Sequence, residues 1–326
     1  MAFPFDPPAA PDGSCTSNHL SPGVSWPRVA RVQEDTEADR TRRDRAEVNL
    51  LLDVVAALDH GRPAIAACLR EHEADARDFA LVLDAPFGID GPALLELGDL
   101  CALLFDPSMM QSVMRLSDPN RLLLDYTRVM MGFLLLRPMP RRIEMIGLGG
   151  GSLAKFCHRY LPDADITVVE IDPRVIALRD RFRIPQDDGR FRVIHADGAD
   201  FARDDPSRPD VILVDGFDRY GQTERLDRFE FYRDCRDRLG DDGLLVVNLC
   251  DNPLARGISK SRLRHAFGDA FAVVPIEGEQ NRIVFASRTL GVPDANQLQH
   301  AAILNAGHGV DFSKLATRMA RRFGKP

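Results

Sequence analysis

Three glycines at alternate positions, Gly147, Gly149 and Gly151, follow the short apolar run 143–146 and lead into a helical pattern that starts at Ser152. Glycine permits positive φ and lets the backbone approach a ligand with no Cβ in the way. Such a turn is a weak signal alone, but Glu170 closes the next apolar run 19 residues beyond Gly151, near the ~20-residue spacing at which a carboxylate meets ribose hydroxyls. Asp197-Gly198 follows a third run. A carboxylate there can accept from the exocyclic amine of a base, and aspartate is equally a favoured helix N-cap. The fourth run ends in Asp215-Gly216-Phe217-Asp218. Carboxylates at the carboxyl end of a parallel strand sit where α/β sheets bind substrates. One can orient or deprotonate a nucleophile while the other pairs with a second cationic group. An Asx-turn accounts for one of these aspartates more readily than for both.

The elements that must hold these residues alternate. Short apolar runs at 143–146, 166–169, 191–194, 211–214 and 244–247 read as strands, and 152–160, 173–182 and 230–239 read as helices. Pro173 is well placed in a first helical turn. Strands alternating with helices imply parallel βαβ units. Two further strands, 271–275 and 282–286, close the series as an antiparallel pair. A nicotinamide dehydrogenase is one candidate, because Gly147-x-Gly149-x-x-Ser152 nearly matches its fingerprint. No second mononucleotide-binding half follows, however, and a terminal antiparallel pair is what S-adenosylmethionine-dependent folds have. The expectation is a nucleoside cofactor of the adenosyl sulfonium kind.

Outside this core, residues 1–45 are rich in Pro, Ser, Asp and Arg and read as a loosely attached arm. Residues 46–140 form a helical and small β region, with a helix over 46–58, strands or a small mixed domain within 79–115, and a buried helix over 120–136. Residues 141–290 form the catalytic domain. Residues 291–326 form a helical tail, basic at its end through Arg318, Arg321, Arg322 and Lys325, which reads as a solvated helix rather than a nucleic-acid arm. With 326 residues, 44% of them hydrophobic, the chain is long enough to bury a sizeable core. A net charge of −7 argues against a general nucleic-acid binder and is compatible with a cationic substrate. The six cysteines are scattered with no zinc-type spacing, so free thiols and no metal are expected. There is no signal-peptide pattern, and the longest apolar run, 129–136, is too short to cross a bilayer. A cytoplasmic protein with no membrane contact is the expectation.

Over roughly 104–288 the sequence resembles the spermidine synthase (polyamine aminopropyltransferase) family. The resemblance rests on Gly147–Ser152, Val168-Val169-Glu170-Ile171-Asp172, His195-Ala196-Asp197-Gly198, the segment from Asp210 to Asp218, and Glu230-Phe231-Tyr232, in that order. Gln111 and Tyr126 also look like family positions. The resemblance implies a Rossmann-like S-adenosylmethionine-dependent methyltransferase fold with a small N-terminal β-containing domain, assembled as a homodimer or higher homo-oligomer. It implies decarboxylated S-adenosylmethionine as aminopropyl donor and a diamine such as putrescine as acceptor, with methylthioadenosine released. Gly147, Gly149 and Gly151 would then cradle the cofactor and Glu170 would hold the ribose. Asp197 and Gly198 would hold the adenine. Asp215 would be the catalytic carboxylate, Asp218 would grip the acceptor, and Tyr126 and Gln111 would be further substrate-binding residues. The sequence also departs from the family. Gly150 stands where the family has an aspartate that contacts the amino end of the donor. Tyr126-Thr127 replaces a Tyr-Gln pair, Gly216, Phe217 and Arg219 alter the loop around the two aspartates, and a late acceptor-side tyrosine has no counterpart in 275–280. Two alternatives follow: an S-adenosylmethionine-dependent small-molecule methyltransferase, and a non-catalytic nucleoside-binding relative.

Overall fold

Runs of Val, Ile and Leu buried on both faces build the central sheet, as parallel strands covered by helices on each side require. In the computed structural model these are β5 (Arg142–Ile146), β6 (Asp165–Glu170), β7 (Phe191–His195), β8 (Val211–Val214), β11 (Leu244–Cys250), β12 (Phe271–Pro275) and β13 (Asn281–Ser287). Their order is β12-β13-β11-β8-β5-β6-β7, with β13 antiparallel to both its neighbours and the other pairs parallel. The chain runs outward from β5 through β6 to β7, then crosses back to β8 on the other side of β5. That reversal opens a crevice at the carboxyl ends of β5 and β8, the usual ligand position in such sheets. Gly147 and Asp215 are the first residues past those two strands.

The structure describes residues 36–57, 68, 81–83, 91–106, 109–218, 221–250, 253–277, 281–290 and 310–322. All belong to the compact unit Thr36–Pro326. Ahead of the central sheet lies an antiparallel one made by β1 (Leu81–Leu83), β2 (Ala93–Leu97), β3 (Leu100–Asp106) and β4 (Met109–Arg115), in that order. Its side chains alternate between two apolar clusters, as a pleated strand dictates. Leu100, Ala102 and Leu104 pack with Leu51, Val54 and Val55 of helix α1 (Glu37–Ala57), whereas Cys101 and Leu103 join the cluster that underlies the central sheet. The small β region is thereby sandwiched between α1 and the Rossmann-like layer, the S-adenosylmethionine-dependent methyltransferase arrangement expected.

Several elements differ from the sequence expectation for identifiable reasons. Helix α1 starts nine residues before the apolar periodicity does, because Asp44 on its polar side is buried against Arg115 and Arg121 at 3.0 and 2.6 Å. The single helix expected over 120–136 is two short ones, α2 (Asp125–Met130) and α3 (Phe133–Leu136). Residues 120–124 are not helical, and the adjacent Leu122 and Leu123 enter opposite clusters. After β6 comes helix α5 (Pro173–Ala177), which stops short of 182. Phe182 and Ile184 turn inward against the glycine turn, and the carbonyl of Phe182 accepts from the buried Lys155 ammonium at 2.8 Å. The sequence reading has no helix over Pro253–Phe267, which buries Leu263, Ala266 and Phe267. The tail is not a solvated helix where it is described. The last described helix, Phe312–Ala320, buries Phe312, Leu315, Ala316 and Met319 in the main core, against Gly132, where a Cβ would lie 2.9 Å from the Met319 sulfur. Residues 1–35 of the expected arm and most of the tail lie outside the described residues.

Candidate active site

The glycine turn is dictated as much by the protein as by any ligand. Gly147 has φ +98°, and a Cβ there would sit 2.2 Å from the backbone oxygen of Asp215, so β5 and β8 meet too closely for a side chain. Gly149 has φ +50°. Gly151 has φ +67° and caps helix α4 (Ser152–Tyr160), packed against Ile184, so it does not line the cleft as a cofactor contact was expected to. Gly150 is buried and also lies off the cleft. A Cβ there would be 2.7 Å from the Ser112 hydroxyl oxygen and 2.9 Å from the Phe182 ring. An aspartate at 150 therefore has no room unless the buried Phe182 moves.

A cleft of about 290 Å³ opens over this turn. Gln111, Tyr126, Gly147, Gly149, Glu170, Asp197, Gly198 and Asp215 all line it, so eight of the ten residues expected at the site come together. Gly151 and Asp218 are the two outside the lining. Asp218 is exposed on β9 (Phe217–Asp218), a two-residue strand paired with β10 (Gly221–Gln222); Phe217 and Gly221 of that hairpin do line the cleft.

On the nucleoside side the carboxylates are fixed by backbone donors. Glu170, buried at the end of β6, accepts from the amides of Leu148 and Asp172, each at 2.9 Å. Each carboxylate oxygen retains a lone pair, which leaves acceptor capacity facing the cleft. Asp197 is the N-cap of helix α6 (Gly198–Asp204), and one of its oxygens accepts from Ala199 and Asp200 amides at 2.8 and 3.3 Å. Its other oxygen pairs with the guanidinium of Arg225, which also holds Asp200 at 2.8 Å. The capping and cleft-facing readings of Asp197 are thus compatible.

On the other side Asp215 is held by side chains. Its Oδ2 accepts from the Tyr126 hydroxyl at 3.0 Å and its Oδ1 from the Asn248 amide at 2.8 Å. Burial pushes the carboxyl above its usual range, and the bonds from Asn248 and Tyr126 act in the opposite direction. Asn248 in turn accepts from Asn281 at 2.9 Å. Tyr126 stands on α2, whose neighbouring Asp125 and Arg128 pair with each other and with Arg45 and Asp44 of α1. Sequence reasoning missed Asn248, Asn281 and Arg225. Asn248 carries a legible signal, a polar residue within the apolar run Leu244–Cys250; the other two carry none. Among the described residues no group of three or more His, Cys, Asp or Glu is placed to hold a metal ion, and no helix is long and apolar enough to cross a membrane.

Residues 124–276 match the spermine/spermidine synthase domain model. The polyamine aminopropyltransferase of Neisseria meningitidis serogroup A is 35% identical over 237 residues, covering 71% of this chain and 89% of the relative. The polyamine aminopropyltransferase of Chromobacterium violaceum is 35% identical over 229 residues, covering 69% and 87%. A solved spermidine synthase in complex with the transition-state analogue AdoDATO shares the fold with a TM-score of 0.59 at 20% identity, over 76% of this chain and 85% of that one.

Proposed function

The chain belongs to the spermidine synthase (polyamine aminopropyltransferase) family, and from that premise we propose that its cleft transfers an aminopropyl group from decarboxylated S-adenosylmethionine to a diamine such as putrescine. The protein is a transferase of the aminopropyl kind. The observation that carries the reading is Asp215: a half-buried carboxylate at the switch point, gripped by Tyr126 and Asn248, in the same cleft as Glu170 and the glycine turn.

Glu170 takes the ribose hydroxyls, Asp197 with the Gly198 backbone faces the adenine, and Gly147 and Gly149 let the nucleoside approach. An ammonium has no lone pair, so the acceptor must give up a proton before it attacks. The freed nitrogen forms a bond to the methylene beside the sulfonium sulfur. The carbon–sulfur bond breaks with its electron pair going to sulfur, and methylthioadenosine leaves as a neutral thioether needing no acid. Asp215 receives the proton. A carboxyl raised by burial is a stronger base than an ordinary aspartate. Gln111 and Tyr126, which line the cleft, are taken as further substrate-binding residues. Asp218, on the hairpin edging the cleft, is assigned to the far ammonium of the acceptor. Much of the rate comes from alignment of the two substrates. The resemblance also supports a homodimer or higher homo-oligomer working in the cytoplasm.

The test is incubation with putrescine and either decarboxylated or ordinary S-adenosylmethionine, with products identified by mass. Methylthioadenosine with spermidine is the expected outcome. S-adenosylhomocysteine with a methylated acceptor would replace this reading by methyl transfer.

A further inference from the structure

Strands β11 and β13 run antiparallel with Asn248 opposite Ile283, which places Asn281 diagonally across from Asn248 on the same face. That face is otherwise apolar: Val246, Ile283 and Phe285 all belong to the main core cluster. Asn248 is thus a buried amide in an apolar row, 3% exposed. Buried polar groups require partners, and Asn248 has one for each end of its amide. Its nitrogen donates to Asp215 at 2.8 Å, and its oxygen accepts from the Asn281 amide nitrogen at 2.9 Å. An amide can be rotated by half a turn with almost no change of shape. In the inverted orientation its oxygen would face the Asp215 carboxylate and its nitrogen would face the Asn281 nitrogen. The Asp215 carboxylate, which only accepts, selects the orientation seen, and the Asn281 N–H satisfies the oxygen that this orientation turns away from it.

We propose that Asn281 is a positioning residue for the transfer reaction, holding the Asn248 amide with its N–H directed at Asp215 so that the carboxylate stays aligned and ready to accept a proton. The inference rests on the aminopropyl-transfer reading of the site. Asn281 lines the same cleft and belongs to none of the motifs on which the family resemblance rests. The bond from Asn248 works against the burial that raises the Asp215 carboxyl, so loosening it lets that carboxyl rise further. The other titratable or charged groups of the cleft are Tyr126 from α2, Glu170 from β6, Asp197 before α6, and Arg225 from the short 3-10 helix Glu224–Asp227 after β10. Arg282, next to Asn281, alternates to the other face of β13. Tyr126 donates to Asp215 directly and is left untouched by changes at 281.

Asn281→Leu keeps roughly the size of the side chain, adds no charge and removes the donor. In this variant kcat should fall about tenfold, the loss of one aligned hydrogen bond, with KM for the nucleoside donor unchanged. The acid limb of the kcat/KM profile should move to higher pH, because a carboxyl that is harder to ionise loses its base form earlier as pH falls. Asn281→Gln, which retains the donor, should restore much of kcat and return the limb toward that of the parent. Thermal melting confirms that each variant is folded. A parent-like kcat and acid limb in Asn281→Leu would overturn the proposal. A second readout does not need turnover: with carboxyl-labelled aspartate, the Asp215 resonance, identified by its loss in Asp215→Asn, should titrate at higher pH in Asn281→Leu than in the parent. An unchanged midpoint overturns the positioning role even if the parent makes no polyamine, whereas absent turnover with a shifted midpoint refutes the reaction and keeps the relay.

Discussion

The two ends of the cleft hold their carboxylates by different means. At the nucleoside end, Glu170 and Asp197 are fixed by backbone amides from their own neighbourhood: Leu148 and Asp172 for one, Ala199 and Asp200 for the other. At the reactive end, Asp215 is fixed by Tyr126 and Asn248, side chains from elements far away in the chain. A backbone donor comes with the turn and tolerates many sequences. A side-chain donor exists only if one particular residue is present at one particular place. The nucleoside end should therefore respond to mutation mainly in affinity and stability, and the reactive end in rate and pH dependence.

The sharpest break between the ends is Asp215→Asn. The amide is nearly isosteric and removes the proton acceptor, so kcat should drop by roughly 10²–10⁴-fold, the usual worth of a positioned general base. Binding of methylthioadenosine, measured by calorimetry, should stay within about twofold of the parent because no nucleoside-side group is touched. A variant as active as the parent would remove Asp215 from the chemistry. Tyr126→Phe is the milder counterpart. It deletes one of the two donors and should lower kcat about tenfold. Because the Tyr126 bond opposes the upward effect of burial, its loss should raise the Asp215 carboxyl further. Activity would then disappear at higher pH on the acid side, seen as a shifted lower limb in the pH–rate profile. A lower limb that moves to more acid pH contradicts the assigned sign.

The same contrast explains what was legible in the sequence. Gly147, Glu170 and Asp197 stand at the ends of consecutive strands, and their roles follow from local spacing within one βαβ series. Asp215 belongs to that series too, so it could be singled out. What supports it could not be. Asn281 becomes a neighbour of Asn248 only because β13 pairs antiparallel to β11 in one register, and no local pattern encodes that. The glycines teach a related lesson. Gly147 and Gly151 read equally as ligand contacts, yet the first is required by the Asp215 backbone and the second by Ile184. Helix α5 was overrun for a tertiary reason as well, since Phe182 is more favourably placed in the core than in another helical turn. The strands Val211–Val214 and Phe271–Pro275, fixed by apolar runs between clear breaks, fall where the pattern puts them.

At the nucleoside end, Glu170→Gln should act on affinity and stability together. The amide has a single acceptor oxygen, so only one of the Leu148 and Asp172 amides keeps its partner. Leaving a buried N–H unpaired costs about 1–3 kcal/mol, visible as a lowered melting temperature. The dissociation constant for methylthioadenosine should rise about tenfold, with kcat at saturating donor falling far less than in Asp215→Asn. Loss of kcat with unchanged nucleoside affinity would erase the division between the two ends.

The smallest expected effect tests the division at Arg225. In the structure its guanidinium occupies the Asp197 oxygen that the helix cap leaves over, and it also bridges to Asp200. An adenine amine reaching for Asp197 must share or displace that contact. Arg225 is 45% exposed, and ion pairs in such positions add only about 0–1 kcal/mol to stability. Arg225→Ala should accordingly leave the melting temperature almost unchanged. It frees an acceptor for the base, so methylthioadenosine should bind a few-fold more tightly, an effect of about 1 kcal/mol or less. An analogue lacking the exocyclic amine should gain nothing, because it has no donor to offer the freed oxygen. If instead the variant binds both nucleosides more weakly, Arg225 itself contacts the ligand. The nucleoside end would then depend on a side chain from a distant element, just as the reactive end does.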